Sequence, residues 1–389
     1  MTRLMTAAAV LLAASTPLAA QDRWPAFTPA IDAFMAADSV VGGSAILLRD
    51  GRIVARHDRG FGDRAAGERI AEGTIYHWAS ITKTLTAVAI MQLRDRGKLT
   101  LDDRITTWVP ELRQVHIARG SMDDITIRML LSHSSGLQNG TWPYGRGRDW
   151  EPFEPTRWEQ LVAMMPYQEV LFPPGSRFGY SNPAFIYLAR VIEAVTGDPY
   201  QSYIQKNIWT PLGMTRSYFG ATPYHLAGWR SNNYTLRRDP GGVRVVANGR
   251  DFDPGITIPN GGWNAPLADL ATWIGFLSGA PVRDTVLARR QETVLSRKSI
   301  VEMWQPVIAL GAGDDLGAAV GLSFFLFPSG ADTLVGHTGE QAGFRSFFYL
   351  NPRTRTAVIA GFNTVNDAVP AASRSAWSTI TRRALALVH

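Results

Sequence analysis

The chain of 389 residues contains no cysteine. That excludes disulfides, thiolate metal sites and lipid attachment at an N-terminal cysteine. Lysine is nearly absent too: among 39 basic residues only Lys83, Lys98, Lys206 and Lys298 are not arginine. The seven histidines, at 57, 77, 116, 133, 225, 337 and 389, form no H-x-x-x-H pair or other close ligand set, which argues against a metallohydrolase. Beyond the N-terminus no run is long and apolar enough to span a bilayer. No basic run is interleaved with aromatics and no zinc-finger spacing occurs, so nucleic acid is not an expected partner. There is no G-x-S-x-G and no regular alternation of strand and helix, which sets aside an α/β-hydrolase. Internal repeats and low-complexity tracts are also missing.

Hydrophobic residues make up 46% of the chain, enough for a sizeable core. The net charge of +6 suits anionic cell-surface material only weakly, because the arginines are scattered. The opening "MTRLMTAAAVLLAASTPLAAQD" has one early charge at Arg3, an apolar stretch to about Ala14, and small residues at Ala19 and Ala20. This predicts a secretory signal peptide over residues 1–20, with a mature chain that is periplasmic or secreted and has no membrane span.

Further along, "FTPAIDAFMAADS" predicts a short helix with Thr28 as N-cap, Pro29 at the first helical position, and Ile31, Phe34 and Met35 on one face. "SAILLRDGRIVARHDRGFGD" predicts a hairpin around Asp50-Gly51. Residues Leu85 to Leu93 are apolar nearly all round, as in a helix buried on every side. The middle reads mostly as helices and loops. "SNPAFIYLARVIEAVTG" has Asn182 as N-cap, Pro183 at the first position and Gly197 past the end; "NAPLADLATWIGFLSG" repeats the arrangement with Pro266 and Gly279. An aromatic loop at 138–158 carries Trp142, Tyr144, Trp150, Phe153 and Trp158, which either line a cleft or pack the lobe. The last hundred residues return to strands, "GLSFFLFPSG", "DTLVGHTG", "FRSFFYLNPRTR" and "TAVIAGFN", before a final helix after Pro370. The expected fold is α/β of the α+β kind, with one antiparallel sheet formed from both chain ends, flanking helices and a mostly helical second lobe. Residues 21–389 then form a single catalytic unit, with 21–99 and 297–389 in the sheet lobe and 100–296 in the helical lobe.

In "HWASITKTLTAVAIMQ" one serine lies three residues before one of the rare lysines. Residues three apart on a helix share a face, so Ser80 and Lys83 can bring a hydroxyl and an amine together. Arginine stays charged at any working pH, whereas a buried lysine can lose its proton and act as a base. At a helix N-terminus the free N–H groups also favour a developing oxyanion. Taken alone, the pair reads more readily as a capping serine and a solvated lysine, and context is needed to make it catalytic.

Ser80-Ile81-Thr82-Lys83, Tyr180-Ser181-Asn182 and His337-Thr338-Gly339 resemble, in order and spacing, the three motifs of the penicillin-recognising serine hydrolases. These include β-lactamases, D-alanyl-D-alanine carboxypeptidases and related esterases. "ITIRMLLSHSSGL", "PPGSRFGYSNPAF" and "GHTGEQAGF" look like the same family's phrasing, and the likeness is greatest to the class C branch, where a tyrosine serves in the second motif. Tyr349-Leu350-Asn351 fits the second pattern too, but it runs into Pro352 and reads as a strand end.

The resemblance implies a serine hydrolase that forms a Ser80 acyl-enzyme, with Lys83 and Tyr180 sharing the base role. It implies that Asn182 bonds the lysine or the substrate carbonyl, that His337, Thr338 and Gly339 lie along the substrate strand, and that the N–H groups of Ser80 and Glu340 form the oxyanion hole. No cofactor or metal is implied. Many β-lactamases carry lysine where this chain has His337, largely neutral at pH 7. The expected substrate is therefore a small-molecule ester or a D-amino-acid peptide or amide. The alternatives are a β-lactamase proper and a sensor that binds penicillin or cell-wall peptides without turnover.

Overall fold

A computed structural model describes residues 20–118, 120–140, 155–311 and 313–389. Most of the expected leader, and Trp142, Tyr144, Trp150 and Phe153 of the aromatic loop, lie outside the described residues.

A nine-stranded antiparallel sheet joins the two ends of the chain. Its strands are β1 (Gly42–Arg49), β2 (Arg52–Asp63), β3 (Glu68–Arg69), β4 (Ile308–Ala309), β5 (Ala319–Val320), β6 (Phe325–Ser329), β7 (Asp332–Gln341), β8 (Phe344–Asn351) and β9 (Thr356–Phe362). The order across the sheet is β4-β5-β6-β7-β8-β9-β1-β2-β3, and β1 pairs with β9 through Ala45↔Ala360 and Leu47↔Val358. Asp50 and Gly51 both take positive φ at the β1–β2 turn, as the sequence requires. Ala342 and Gly343 do the same between β7 and β8.

Both faces of the sheet are covered, which explains why its central strands are apolar without alternation. On one face Ala45, Leu47, Phe347 and Phe362 pack against helices α1 (Ala20–Ala37) and α5 (Pro370–Val388). On the other, Ile46, Leu48, Phe348 and Ile359 pack toward α2 (Thr82–Asp95), which is buried at every position from Thr82 to Leu93. The helical side adds α3 (Ile127–Leu131) and α4 (Pro183–Thr196), which ends on Gly197 in the left-handed region.

The N-terminal helix departs from the expected start at Thr28. Among the described residues it runs over Ala20–Ala37 and contains both Pro25 and Pro29, because Trp24 and Phe27 extend the buried face of Ile31, Phe34 and Met35 by almost two turns. The Thr28 hydroxyl instead donates to the Pro25 carbonyl at 3.5 Å. Pro266 is the N-cap of helix Leu267–Ser278, one place earlier than its expected position, while Gly279 closes the helix as expected. The middle segment also holds a hairpin, Asn233–Asp239 with Gly242–Gly249, that a mostly helical reading passes over. Its first strand pairs in parallel with Thr364–Asn366 and ties the segment to the sheet. Trp158, the described aromatic of the 138–158 stretch, packs edge-on to Tyr187 of α4 under Arg190, so its role is lobe packing.

Candidate active site

The turn that delivers Ser80 is strained and tightly held. Ala79 has φ +48, in the left-handed region that alanine avoids, and Ser80 follows it into a short 3-10 turn before α2. Three contacts fix the turn: Trp78 Nε1–H donates to the Ala265 carbonyl (2.9 Å), the Thr82 hydroxyl to the Ala79 carbonyl (2.6 Å), and the Ser346 hydroxyl to the Trp78 carbonyl (3.2 Å). Gly339 of β7 lies directly against it. A Cβ there would come within 2.3 Å of the Trp78 oxygen and 2.7 Å of Ser346 Oγ. The space left by this glycine is therefore filled by the protein's own serine-bearing turn, a different use of it from close approach by a substrate backbone.

Lys83 is wholly buried. Its Nζ contacts the Asn182 side-chain oxygen (2.8 Å), the Asn260 carbonyl (2.8 Å) and Ser80 Oγ (3.0 Å), and lies 5.0 Å from the Tyr180 ring centre. Burial holds its pKa well below the ordinary lysine value. A neutral amine has two N–H donors and one lone pair. Asn182 and Asn260 present acceptors only, so Nζ donates to both, and it donates to Ser80 Oγ as well while it holds its proton; once that proton is lost, the lone pair is free to accept the Ser80 O–H.

Asn182 begins α4 but does not cap it, because its side chain is turned to the lysine. Its amide nitrogen donates to Asn139 Oδ1 at 3.1 Å, and Ser181 Oγ takes over the capping by accepting the Ala184 N–H at 3.3 Å. The Tyr180 phenol is pushed above its ordinary value by burial, with the hydrogen bond to Ser80 acting the other way.

His337 is buried beside Phe325, with ring centres 5.1 Å apart. Its Nδ1 is 2.6 Å from the carbonyl oxygen of Thr338, which can only accept, so Nδ1 carries the proton and Nε2 is bare. Burial, with the Lys83 charge nearby, lowers its pKa to about 3. The motif histidine is thus neutral across the physiological range.

Strand β7 pairs with β6 only as far as Gly336↔Phe325, so its continuation from His337 to Gln341 has a strand partner on the β8 side alone. A cleft of about 390 Å3 opens at its end, lined by Ser80, Asn182, Phe252, Asp253, Asn260, Glu340 and Gln341 among others. Glu340 is half exposed and accepts from Arg345 Nε at 2.6 Å. Ser80, Lys83, Tyr180 and Asn182 are brought into one constellation, Gly339 and Glu340 adjoin it, and His337 and Thr338 are beside rather than within the cleft lining.

Sequence reasoning missed Asn260, which supplies a carbonyl to Lys83, and the Phe252-Asp253 wall. It also passed over His77, whose Nδ1 and Nε2 meet Asn264 (2.9 Å) and Gln341 (3.1 Å) behind the cleft. Burial and the Arg230 charge lower the His77 pKa to about 4. Only the position of His77 three residues before Ser80 hinted at this.

The Beta-lactamase family model matches residues 27–379. Esterase EstB of Burkholderia gladioli is 36% identical over 248 residues, covering 57% of this chain and 61% of the esterase. The chain thus spans about three-fifths of the length of that curated relative. The octameric penicillin-binding protein homologue from Pyrococcus abyssi superposes with a TM-score of 0.72 at 27% identity, over 92% of this chain and 77% of that one. A class C beta-lactamase does so with a TM-score of 0.72 at 17% identity, over 96% and 99%, which shows the shared fold.

Proposed function

The chain belongs to the beta-lactamase family, and we propose that it is a serine hydrolase acting by acyl transfer on small esters or D-amino-acid amides. The observation that carries this reading is the Lys83 amine, buried and depressed in pKa, with its Nζ 3.0 Å from Ser80 Oγ. Ser80 Oγ attacks the carbonyl as its proton passes to the Lys83–Tyr180 pair, and the alcohol or amine leaves as that proton is returned to it. The Lys83 amine lies 5.0 Å from the Tyr180 ring centre, close enough for the two groups to share the base role. The N–H groups of Ser80 and Glu340 stabilise the oxyanion, which the packing of Gly339 on the Trp78-Ala79 turn supports. Water then attacks the acyl-enzyme.

Substrate class follows from charge. Among the described residues, the charged side chains lining the cleft are Asp253 and Glu340, both acidic, and His337 stands neutral where a lysine would serve an antibiotic's carboxylate. This supports a neutral ester or amide over a β-lactam. The similarity to an esterase favours the same side. The leader-like N-terminus supports export to the periplasm or beyond.

The test is a panel of p-nitrophenyl esters, D-alanyl peptides and amides, and β-lactams assayed beside Ser80→Ala. Serine-dependent turnover that is fastest on neutral esters or amides is the expected result. A β-lactam preference overturns the substrate class, and a Ser80 adduct that accumulates without turnover points to a sensor.

A further inference from the structure

His133 lies outside the three motifs, yet it touches three successive residues of the loop that carries Tyr180. Its carbonyl accepts the Gly179 N–H at 2.8 Å. Its imidazole stacks on the Tyr180 ring, with centres 4.2 Å apart and planes 23° from parallel. Its Nδ1 accepts the Ser181 backbone N–H at 3.1 Å. The residue is fully buried just beyond α3 and takes φ +54, a left-handed backbone that few side chains adopt without cost. Phe178 and Phe185 close around the ring at 6.0 Å and 5.2 Å.

These contacts fix the chemistry of the ring. An amide N–H can only donate, so Nδ1 is unprotonated and the neutral imidazole carries its proton on Nε2. Protonating Nδ1 would break the bond to Ser181 and place a cation beside Lys83. Burial and the Lys83 charge both oppose it. Phenylalanine could supply the stack without the acceptor, and asparagine the acceptor without the stack. Histidine supplies both.

We propose that His133 is the positioning residue for Tyr180, setting the ring plane by stacking and the backbone by its Nδ1 so that the phenol is held at Ser80. The proposal rests on the reading of Ser80 as nucleophile and Tyr180 as its partner. Ring and backbone are held from the same side by one rigid group, which keeps the phenol oxygen within reach of its hydrogen bond to Ser80.

The test is a double-mutant cycle between His133→Asn and Tyr180→Phe, read by the pre-steady-state rate of Ser80 acylation with p-nitrophenyl butyrate. Asparagine tolerates the left-handed backbone and presents an oxygen near the former Nδ1, so the loop stays anchored while the stack is lost. The expected result is acylation slowed about 10- to 100-fold, the range for an ångström-scale misplacement of a reacting group, with substrate binding unchanged. In the Tyr180→Phe background the same substitution should have no further effect, since its route of action is gone. An unchanged rate in the single variant, or the same loss in both backgrounds, would overturn the proposal. Wild-type protein without a Ser80-dependent burst would instead overturn the reading beneath it. If His133→Asn does not fold, 15N NMR of the wild-type imidazoles decides: the Nε2–H tautomer of His133 from pH 6 to 9 is expected, and an Nδ1–H or protonated ring would refute the anchoring.

Discussion

Replacing Lys83 by methionine should remove activity while leaving stability nearly unchanged, a combination that separates a functional amine from a structural one. The substitution deletes three hydrogen bonds, to the Asn182 side chain, the Asn260 carbonyl and Ser80 Oγ, a loss of about 1.5–4.5 kcal/mol at about 0.5–1.5 each. Asn182 Oδ1 retains the Asn260 amide at 3.3 Å, which puts the loss toward the lower end. Against it stands the lysine proton, which the unfolded chain binds more tightly than the folded chain does. Burial lowers the folded lysine well below 10.5, so at neutral pH the unfolded state is favoured by that proton, and wild-type stability rises with pH until the unfolded lysine itself deprotonates. Each tenfold of proton affinity is about 1.4 kcal/mol, enough for a strongly depressed lysine to offset the lost bonds. Thermal and urea unfolding at pH 7 should therefore place Lys83→Met within about 1 kcal/mol of wild type, with wild type gaining on the variant as pH rises toward 10. Acylation should fall at least about 10²- to 10⁴-fold, the range for loss of a general base. Lys83→Arg should not restore it, because a guanidinium keeps its proton. Strong destabilisation by methionine at pH 7 without a pH trend, or appreciable turnover with arginine, would make Lys83 a structural cation and not a base.

Tyr180→Phe, which deletes one hydroxyl and keeps the ring against His133, should lower acylation about 10²- to 10⁴-fold with little change in melting temperature; unimpaired burst kinetics would remove tyrosine from the base pair. Gly339→Ala places a methyl within 2.3 Å of the Trp78 oxygen, and should cost about 1–3 kcal/mol in urea unfolding together with a loss of acylation per folded molecule. Wild-type-like behaviour of that variant would show that the turn yields. His77 and His337 are neutral when folded, with values near 4 and 3 against an ordinary 6.5, so stability fully present above pH 6.5 is lost as pH falls from there through those folded values. Each contributes a slope of about 1.4 kcal/mol per pH unit, and His337→Gln should flatten the acid side of the curve, which unfolding between pH 7 and 4.5 measures.

The sheet was legible because its patterns are local: the Asp50-Gly51 turn, the apolar strands after Phe324 and the all-round apolar α2 each declare themselves within about ten residues. Ser80, Lys83 and Tyr180 were legible through spacing and resemblance. What escaped depends on contacts between distant segments. Asn260 acts through a backbone carbonyl, which no side-chain pattern reports. His133 looked like part of a phrase, since its stack on Tyr180 joins residues 47 positions apart. Ala79 carries no sign of its positive φ, because the strain is imposed by Trp78, Ser346 and Gly339 around it. The extent of α1 was missed because Thr28-Pro29 reads as a helix N-terminus, whereas Pro29 lies inside the helix, whose buried face Trp24 and Phe27 carry further toward Ala20.

The most direct test of the central claim is mass spectrometry of the protein mixed for seconds with p-nitrophenyl butyrate and quenched in acid, followed by peptide mapping. One butyryl group on Ser80, absent from Ser80→Ala and slow to appear in Lys83→Arg, is the predicted result. Release of p-nitrophenol with no adduct at Ser80, or at the same rate in Ser80→Ala, would contradict the account.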